Sequence, residues 1–387
     1  MYRIGQEEID AVARVIREKQ LFKVNNGSLQ ETANFEKELR EYCGTDRAIL
    51  MTSGTAALAS ALIGMGIGPG DEVLVPAYTY IATAMAVVMT GAMPVVTEVD
   101  ETLSMDPADI ENKLTPKTKA VIPVHMGGYP CDMDAIMTVC KKHNLFVLED
   151  ACQAVGTTYK GKAVGSIGDA GAFSFNYFKI ISAGEGGALL TNNQEIFEKG
   201  LIYHDSCAVA YFGDQMENFK SLPFCGSEFR TNEITAAILR EQLKRLDGIL
   251  SDLRKNKKQL ETLLSPYIGF APSNDPEGEG AYTVTLQFET KEKALAFQEA
   301  FDGYVTIPAY VGKHVFNDWK AIIEKRGAVN PLMDPFRFEA NRGFDFPVDT
   351  CTKSLELMAK CARIEVNPDW TQEDIRQFAE KVIAALS

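Results

Sequence analysis

The sequence predicts an α/β protein with a large part built on one seven-stranded, mostly parallel sheet and a smaller C-terminal α+β part. Three observations carry this expectation. Seven short apolar runs recur, at Ala48–Met51, Glu72–Val75, Pro94–Val96, Ala120–Val124, Phe146–Leu148, Gly171–Phe175 and Ala188–Leu190. Most are separated by stretches long enough for a crossover helix, which parallel neighbours require. After the helical stretch Asn232–Leu264 the texture changes to Pro272–Gly280, rich in Pro, Gly and charge.

Taken in order, Ala48–Met51 passes through Ser53-Gly54-Thr55 into the Ala-rich helical stretch Thr55–Met65. Glu72–Val75 is closed by Pro76 and followed by the helical stretch Ile81–Met89. Pro94–Val96 and Ala120–Val124 come next, then a helix over Met133–His143 and the run Phe146–Leu148, which ends in Glu149-Asp150. Gly184-Glu185-Gly186-Gly187 turns the chain back into Ala188–Leu190. Tyr282–Phe288 and Ala362–Val366 read as strands, and a last helix starts near Thr371. A boundary near residue 250 gives domains 1–250 and 251–387. Ligands in parallel sheets lie beyond the carboxyl ends of the strands, and Ser53 and Asp150 both fall at such ends.

The 387 residues are 46% hydrophobic and 24% charged, a composition that supports a sizeable core. A net charge of −14 disfavours nucleic acid and anionic membranes as partners, because both would repel the average surface. No run approaches the roughly 20 apolar residues that span a bilayer, and Met1-Tyr2-Arg3-Ile4-Gly5 lacks an apolar signal core. The expected location is the cytoplasm. The eight cysteines and four histidines show no metal-ligand spacing, so no metal is expected and the thiols should be reduced.

The chemistry lies in the order of a few residues. Asp150 ends an apolar run; about thirty residues later Lys179 closes Ser174-Phe175-Asn176-Tyr177-Phe178-Lys179, five residues before the glycine-rich turn. Pyridoxal phosphate needs an amine to hold its aldehyde as a Schiff base and a carboxylate to keep its ring nitrogen protonated; Lys179 and Asp150 supply both. Ser53-Gly54-Thr55 opens a helix, where free N–H groups and the helix dipole favour an anion. Thr55 could serve only as the helix cap; with Lys179 downstream, phosphate binding by Gly54 and Thr55 is the favoured reading.

These segments, together with Glu149-Asp150-Ala151-Cys152-Gln153-Ala154, Val75-Pro76, Gly91-Ala92, Ile122-Pro123-Val124-His125 and Ala236-Ala237 before Gln242-Leu243, resemble the DegT/DnrJ/EryC1/StrS sugar aminotransferases. The resemblance runs from about Gly5 to the C-terminus. It implies a type I aminotransferase fold and transfer of an amino group from glutamate or glutamine to a keto sugar, nucleotide-linked keto sugar or keto cyclitol, with the cofactor alternating between pyridoxal and pyridoxamine phosphate. It also implies phosphate contact by Ser174, contact of Gln153 with the ring hydroxyl and stacking of Tyr80 on the ring. His314, Glu185 and Arg230 are weaker candidates near the substrate. A polar helix-start residue for Gln153, a core aromatic for Tyr80, a tight turn around Glu185 and an ordinary loop histidine at His314 are the alternatives.

The family also implies a homodimer, in which an Asn two residues before the position of Arg230 reaches the neighbouring cofactor phosphate. This chain has Glu228 there. A carboxylate 4 Å from a phosphate charge is repelled by about 4 kcal/mol at an effective dielectric of 20, so Glu228 is expected to approach the neighbouring site without bonding the phosphate directly. Two other readings are a pyridoxamine-dependent dehydratase, in which His replaces the lysine, and a cofactor-binding regulator without turnover. Lys179 argues against the first; the intact Asp150 and Lys179 pair and the absence of an appended basic segment argue against the second.

Overall fold

The computed structural model describes residues 3–24, 27–206 and 219–386. Seven strands, β1 (Arg47–Met51), β2 (Glu72–Pro76), β3 (Met93–Thr97), β4 (Thr118–Val121), β5 (Phe146–Asp150), β6 (Ala170–Ser174) and β7 (Gly187–Thr191), form one sheet. Their spatial order is β1-β7-β6-β5-β4-β2-β3. Six run parallel; β7 is antiparallel to both neighbours. The exception has a local cause, since residues 175–186 fold back as a loop and not as a crossover helix, pairing Ser174 with Gly187.

Alternation along each strand sends successive side chains to opposite faces. Leu50, Leu74, Val121, Val147, Phe173 and Leu190 belong to one apolar cluster. Ile49, Met51, Val73, Val75, Leu148, Ala172 and Leu189 belong to the other. Both faces are therefore covered, which is why the strands read as continuous apolar runs. The helices Gly54–Gly64, Ala82–Met89 and Met133–His143 follow β1, β2 and β4.

The helix Glu233–Leu264 is capped by Asn232, whose side chain accepts from Thr235 N–H at 3.0 Å. It presents Leu239, Leu246, Ile249, Leu253, Leu260 and Leu264 to the core, a helical repeat. The boundary expected near residue 250 lies inside this unbroken helix; the change of sheet comes between Leu264 and Gly269. The second sheet holds β8 (Gly269–Phe270), β9 (Thr283–Gln287), β10 (Val305–Thr306) and β11 (Cys361–Glu365), all antiparallel in the order β8-β9-β11-β10. The first apolar cluster continues into this sheet through Val284, Leu286 and Ile364. Among the described residues, no helix is long and apolar enough to cross a membrane.

Candidate active site

The carboxyl ends of β1, β5 and β6 deliver Ser53, Asp150 and Ser174 to one edge of the sheet. Ser53, not Thr55, caps the helix Gly54–Gly64, accepting from Ala56 N–H at 3.1 Å. This removes capping as the role of Thr55 and leaves it in the first turn, where helix N–H groups lack intrahelical partners. Gly54 is forced by contact: a Cβ there would lie 2.6 Å from Cys152 Sγ and 3.0 Å from Ser174 Cβ. The missing side chain brings this turn against Ser174, forming a cradle of backbone N–H groups and hydroxyls. Gly54→Ala is expected to push the turn off β6 and weaken binding of a phosphate-bearing cofactor by at least about tenfold, a cost within the 1–3 kcal/mol range for overpacking. Equilibrium dialysis against pyridoxal phosphate checks this; unchanged affinity would remove Gly54 from the cradle.

Asp150 is buried, 5% exposed. Its Oδ2 accepts from Thr83 Oγ1 at 2.7 Å and its Oδ1 from Cys152 N–H at 3.1 Å. Thr83 Oγ1 is in turn 2.6 Å from Thr79 Oγ1. Among the described residues no cation pairs with this carboxylate. A buried negative charge held only by neutral donors favours a positively charged partner.

Lys179 sits on the loop between β6 and β7. Phe175 N–H donates to Gly186 O at 2.8 Å and Tyr177 N–H to Gly184 O at 2.9 Å, so the two arms of the loop zip together. Gly184 has φ 85° and Gly186 φ 149°, backbone that glycine adopts without strain. Glu185 accepts from Asn176 Nδ2 at 3.1 Å and so braces the arm that carries Lys179. The lysine is half-buried, and no hydrogen bond or ion pair holds its amine among the described residues. Burial pushes its pKa below the ordinary lysine value, with Asp150 opposing the shift and Lys313 adding to it. A larger fraction of free amine at any given pH is the consequence.

Gln153 Oε1 accepts from Gly127 N–H at 3.1 Å, which fixes the side chain and leaves its amide NH₂ as the spare donor. Tyr80 is 43% exposed, so it is not a core aromatic. Its ring lies 5.4 Å from that of His314, tilted by 52°. The segment around His314 is clamped to the loop after β2: Thr79 N–H donates to His314 O at 3.0 Å and Ile81 N–H to Lys313 O at 2.8 Å. The C-terminal part of the chain thus supplies one wall of the site. Burial and the charges of Lys313, Arg363 and Lys179 push the His314 ring down to about 4, so it is neutral near pH 7.

Glu228 and Arg230 differ from expectation. Arg230 pairs with Glu228 at 2.8 Å and with buried Asp205, and its guanidinium lies 5.3 Å from the Phe22 ring centroid. Glu228 is therefore not an isolated charge, and the repulsion computed for one does not apply. Nor is Arg230 a lone cation awaiting substrate, since its neighbours already compensate it. For such a half-exposed pair, Glu228→Asn is expected to cost less than about 1 kcal/mol in a urea melt and to change cofactor affinity less than about fivefold. A tightening by the several kcal/mol of the unpaired case would contradict the pairing. The identity of the sugar is expected to depend on loops such as Tyr203–Phe219, of which residues 207–218 lie outside the described residues.

Thr83, Cys152, Lys313 and Arg363 contact or electrostatically influence the candidate site residues, although no motif in the sequence marks them. Thr79 and Thr83 are four apart at a helix start, a spacing that puts both hydroxyls on one side; the signal was present but unremarkable. Arg363 stands between Ala362 and Ile364 in an apolar strand, where a cation is out of pattern.

Residues 2–309 match the DegT/DnrJ/EryC1/StrS aminotransferase family. The chain is 46% identical over 220 residues to GDP-perosamine synthase of Caulobacter vibrioides, a match spanning 56% of this chain and 57% of that relative. It thus spans little more than half that protein's length. It is 32% identical over 357 residues to the L-glutamine:2-deoxy-scyllo-inosose aminotransferase of Streptoalloteichus tenebrarius, covering 85% of this chain and 82% of the relative. The aminotransferase from Psychrobacter cryohalolentis superposes with a TM-score of 0.81 at 30% identity, over 98% of this chain and 96% of that one.

Proposed function

Because the chain belongs to the DegT/DnrJ/EryC1/StrS family of pyridoxal phosphate-dependent aminotransferases, we propose that it moves an amino group from glutamate or glutamine to a keto sugar, nucleotide-linked keto sugar or keto cyclitol. The observation that carries this reading is the Lys179 amine, without a hydrogen-bond or ion-pair partner among the described residues, close enough to the buried Asp150 carboxylate to feel its charge, at the carboxyl ends of parallel strands.

The residues fit the cofactor. A buried carboxylate with no ion pair among the described residues suits a protonated ring nitrogen, and a half-buried amine with no hydrogen-bond or ion-pair partner among them suits an aldehyde. Gly54, Thr55 and Ser174 would hold the phosphate, Asp150 the ring nitrogen, Gln153 the ring hydroxyl and Tyr80 one face, while Lys179 would hold the cofactor covalently. Bound pyridoxal phosphate supplies an electrophilic carbon and a conjugated ring able to take up an electron pair. The protein supplies the rest. Lys179 Nζ, freed when the donor amine takes its place, removes the proton from the donor α-carbon, and its ammonium form returns a proton later in the cycle. Its lowered pKa supports the basic role, since more of it is free amine near neutrality. Thr83 and the Cys152 N–H keep Asp150 in one orientation.

The active unit in this reading is a homodimer in the cytoplasm. Support for the dimer is four exposed apolar side chains, Leu21, Phe22, Tyr177 and Phe178, the last 80% exposed, whose cover by a second copy would remove them from water. Candidate keto sugars incubated with labelled glutamate and read by mass spectrometry test the function: a ketone-to-amine mass shift with label transfer is expected, and no transfer to any keto sugar or cyclitol would overturn it. Light scattering checks the dimer.

A further inference from the structure

The outer edge of β1 is finished by side chains. β1 pairs with β7 and with no other strand of the sheet, so every second residue points its N–H and C=O outward, where an edge strand has no ladder partner. Leu50 is such a residue. Its N–H donates to Glu36 Oε1 at 2.7 Å, and its C=O accepts from Lys23 Nζ at 2.9 Å. Lys23 and Glu36 are themselves 2.8 Å apart. One ion pair thus stands where a neighbouring strand would offer a carbonyl and an amide.

Lys23 is buried, which is rare for this residue type unless it is paired. Its remaining contact is His204 Nε2, 3.2 Å away. His204 Nδ1 lies 2.6 Å from Leu201 O, which can only accept, so Nδ1 carries the ring proton and Nε2 offers a lone pair to the ammonium. The three donors of this ammonium are therefore spent on three elements: β1, the helix Glu31–Cys43 through Glu36, and the helix Gln194–His204. Burying an ion pair gains little net stability; what this one supplies is a fixed geometry.

That geometry leads to the turn after β1. Thr52 is the next residue to point outward: its N–H donates to Phe229 O at 3.0 Å, and Phe229 N–H donates to His204 O at 2.8 Å. Thr52 directly precedes Ser53-Gly54-Thr55. Both outward attachments beside the turn hence end on residues that Lys23 holds, Leu50 directly and Thr52 by way of Phe229 and His204. The turn has little room to move, because Gly54 already packs against Cys152 and Ser174 too closely for a Cβ. We propose that Lys23 is a positioning residue for the cofactor phosphate: it fixes where β1 ends, and with it the N–H groups of Gly54 and Thr55, without touching the ligand. All three of its protons are taken by protein groups, so none is left for a phosphate oxygen. This rests on the reading of Ser53-Gly54-Thr55 as a phosphate cradle.

The test titrates two ligands separately into the cofactor-free full chain: pyridoxal phosphate, and pyridoxal, which keeps the aldehyde and lacks the phosphate. Equilibrium dialysis gives the affinities, and the Schiff-base absorbance shows that each ligand has reached a lysine. Lys23→Met removes the ammonium at similar side-chain length. It should weaken pyridoxal phosphate about tenfold or more, the worth of one hydrogen bond to a charged group, and leave pyridoxal within about threefold. Glu36→Gln keeps an acceptor for the Leu50 N–H and drops the charge; it should show the same selective loss at about fivefold, with pyridoxal within about twofold. Where Lys23→Met fails to fold, Glu36→Gln decides alone. A merely structural role would lower the melting temperature, or both affinities in parallel, without separating the two ligands. Equal losses for the two ligands, or no loss for either in a folded variant, overturn the proposal. Wild type that binds pyridoxal as tightly as pyridoxal phosphate would remove the cradle reading itself, an outcome visible before any variant is made.

Discussion

Lys179→Ala is expected to abolish ordinary transamination, with a loss of at least about 10⁴-fold, because one side chain serves both as covalent anchor and as the proton-transferring base. The same variant should fold and still bind the cofactor without a covalent bond, since Lys179 makes no side-chain hydrogen bond or ion pair among the described residues that its removal would break. Borohydride reduction of wild type followed by peptide mapping should place the cofactor on Lys179. Lys160 makes a useful contrast: it is exposed and pairs with Asp134 at 2.5 Å, and that carboxylate holds its pKa well above the ordinary lysine value. It stays an ammonium at pH values where Lys179 already offers a free amine. Label on Lys160, on Lys162 or on no lysine would refute the assignment.

Asp150→Asn should slow the half-reaction with glutamate by about 10²–10³-fold, the range seen when one preorganised electrostatic partner of a transition state is removed. Stopped-flow single-turnover rates decide it; near wild-type rates would exclude the role. A second effect concerns the cofactor. Without it, the carboxylate is held by Thr83 Oγ1, the Cys152 N–H and the charge of Lys179, and the isosteric Asn variant should stay within about 1 kcal/mol of wild type in the apo form. It should then gain less stability from added pyridoxal phosphate, because stabilisation by a ligand scales with its affinity for the folded state. Paired apo and holo thermal melts of the two proteins measure both effects.

The large sheet was legible because strands buried on both faces are apolar throughout and separated by helices of ordinary length. All seven runs became strands, with ends shifted by a few residues at most. Shorter pieces carried no such signal: Gly269–Phe270 and Val305–Thr306 have two residues each, too few for any periodicity. In the candidate site, Lys179, Asp150 and Gly54 could be proposed from the sequence because the chemistry they suggest is local to a strand end or helix start. The pairing of Glu228 with Arg230 and Asp205 could not, because a charge's partner depends on which loop packs beside it. Arg363 was hidden for a related reason: it reaches the site from a strand 213 residues after Asp150 in the chain (363 − 150), and only the docking of the second sheet brings it there.

The place of β7 sets a schedule for synthesis. The strand inserts between β1 and β6, and β1 pairs with no other strand of the sheet. When β1 leaves the ribosome its edge has no mate until residues 187–191 follow, a wait of about ten seconds or more at about 5–20 residues per second. Strands β2 to β6 can meanwhile assemble with one another, but Ser53 and Gly54 at the tip of β1 cannot be seated until β7 arrives. The turn after β1 is thus seated only once residues 187–191 have emerged, the wall supplied by Lys313 and His314 follows later still, and the strand edge left open in the interval is the segment a chaperone would have most reason to cover.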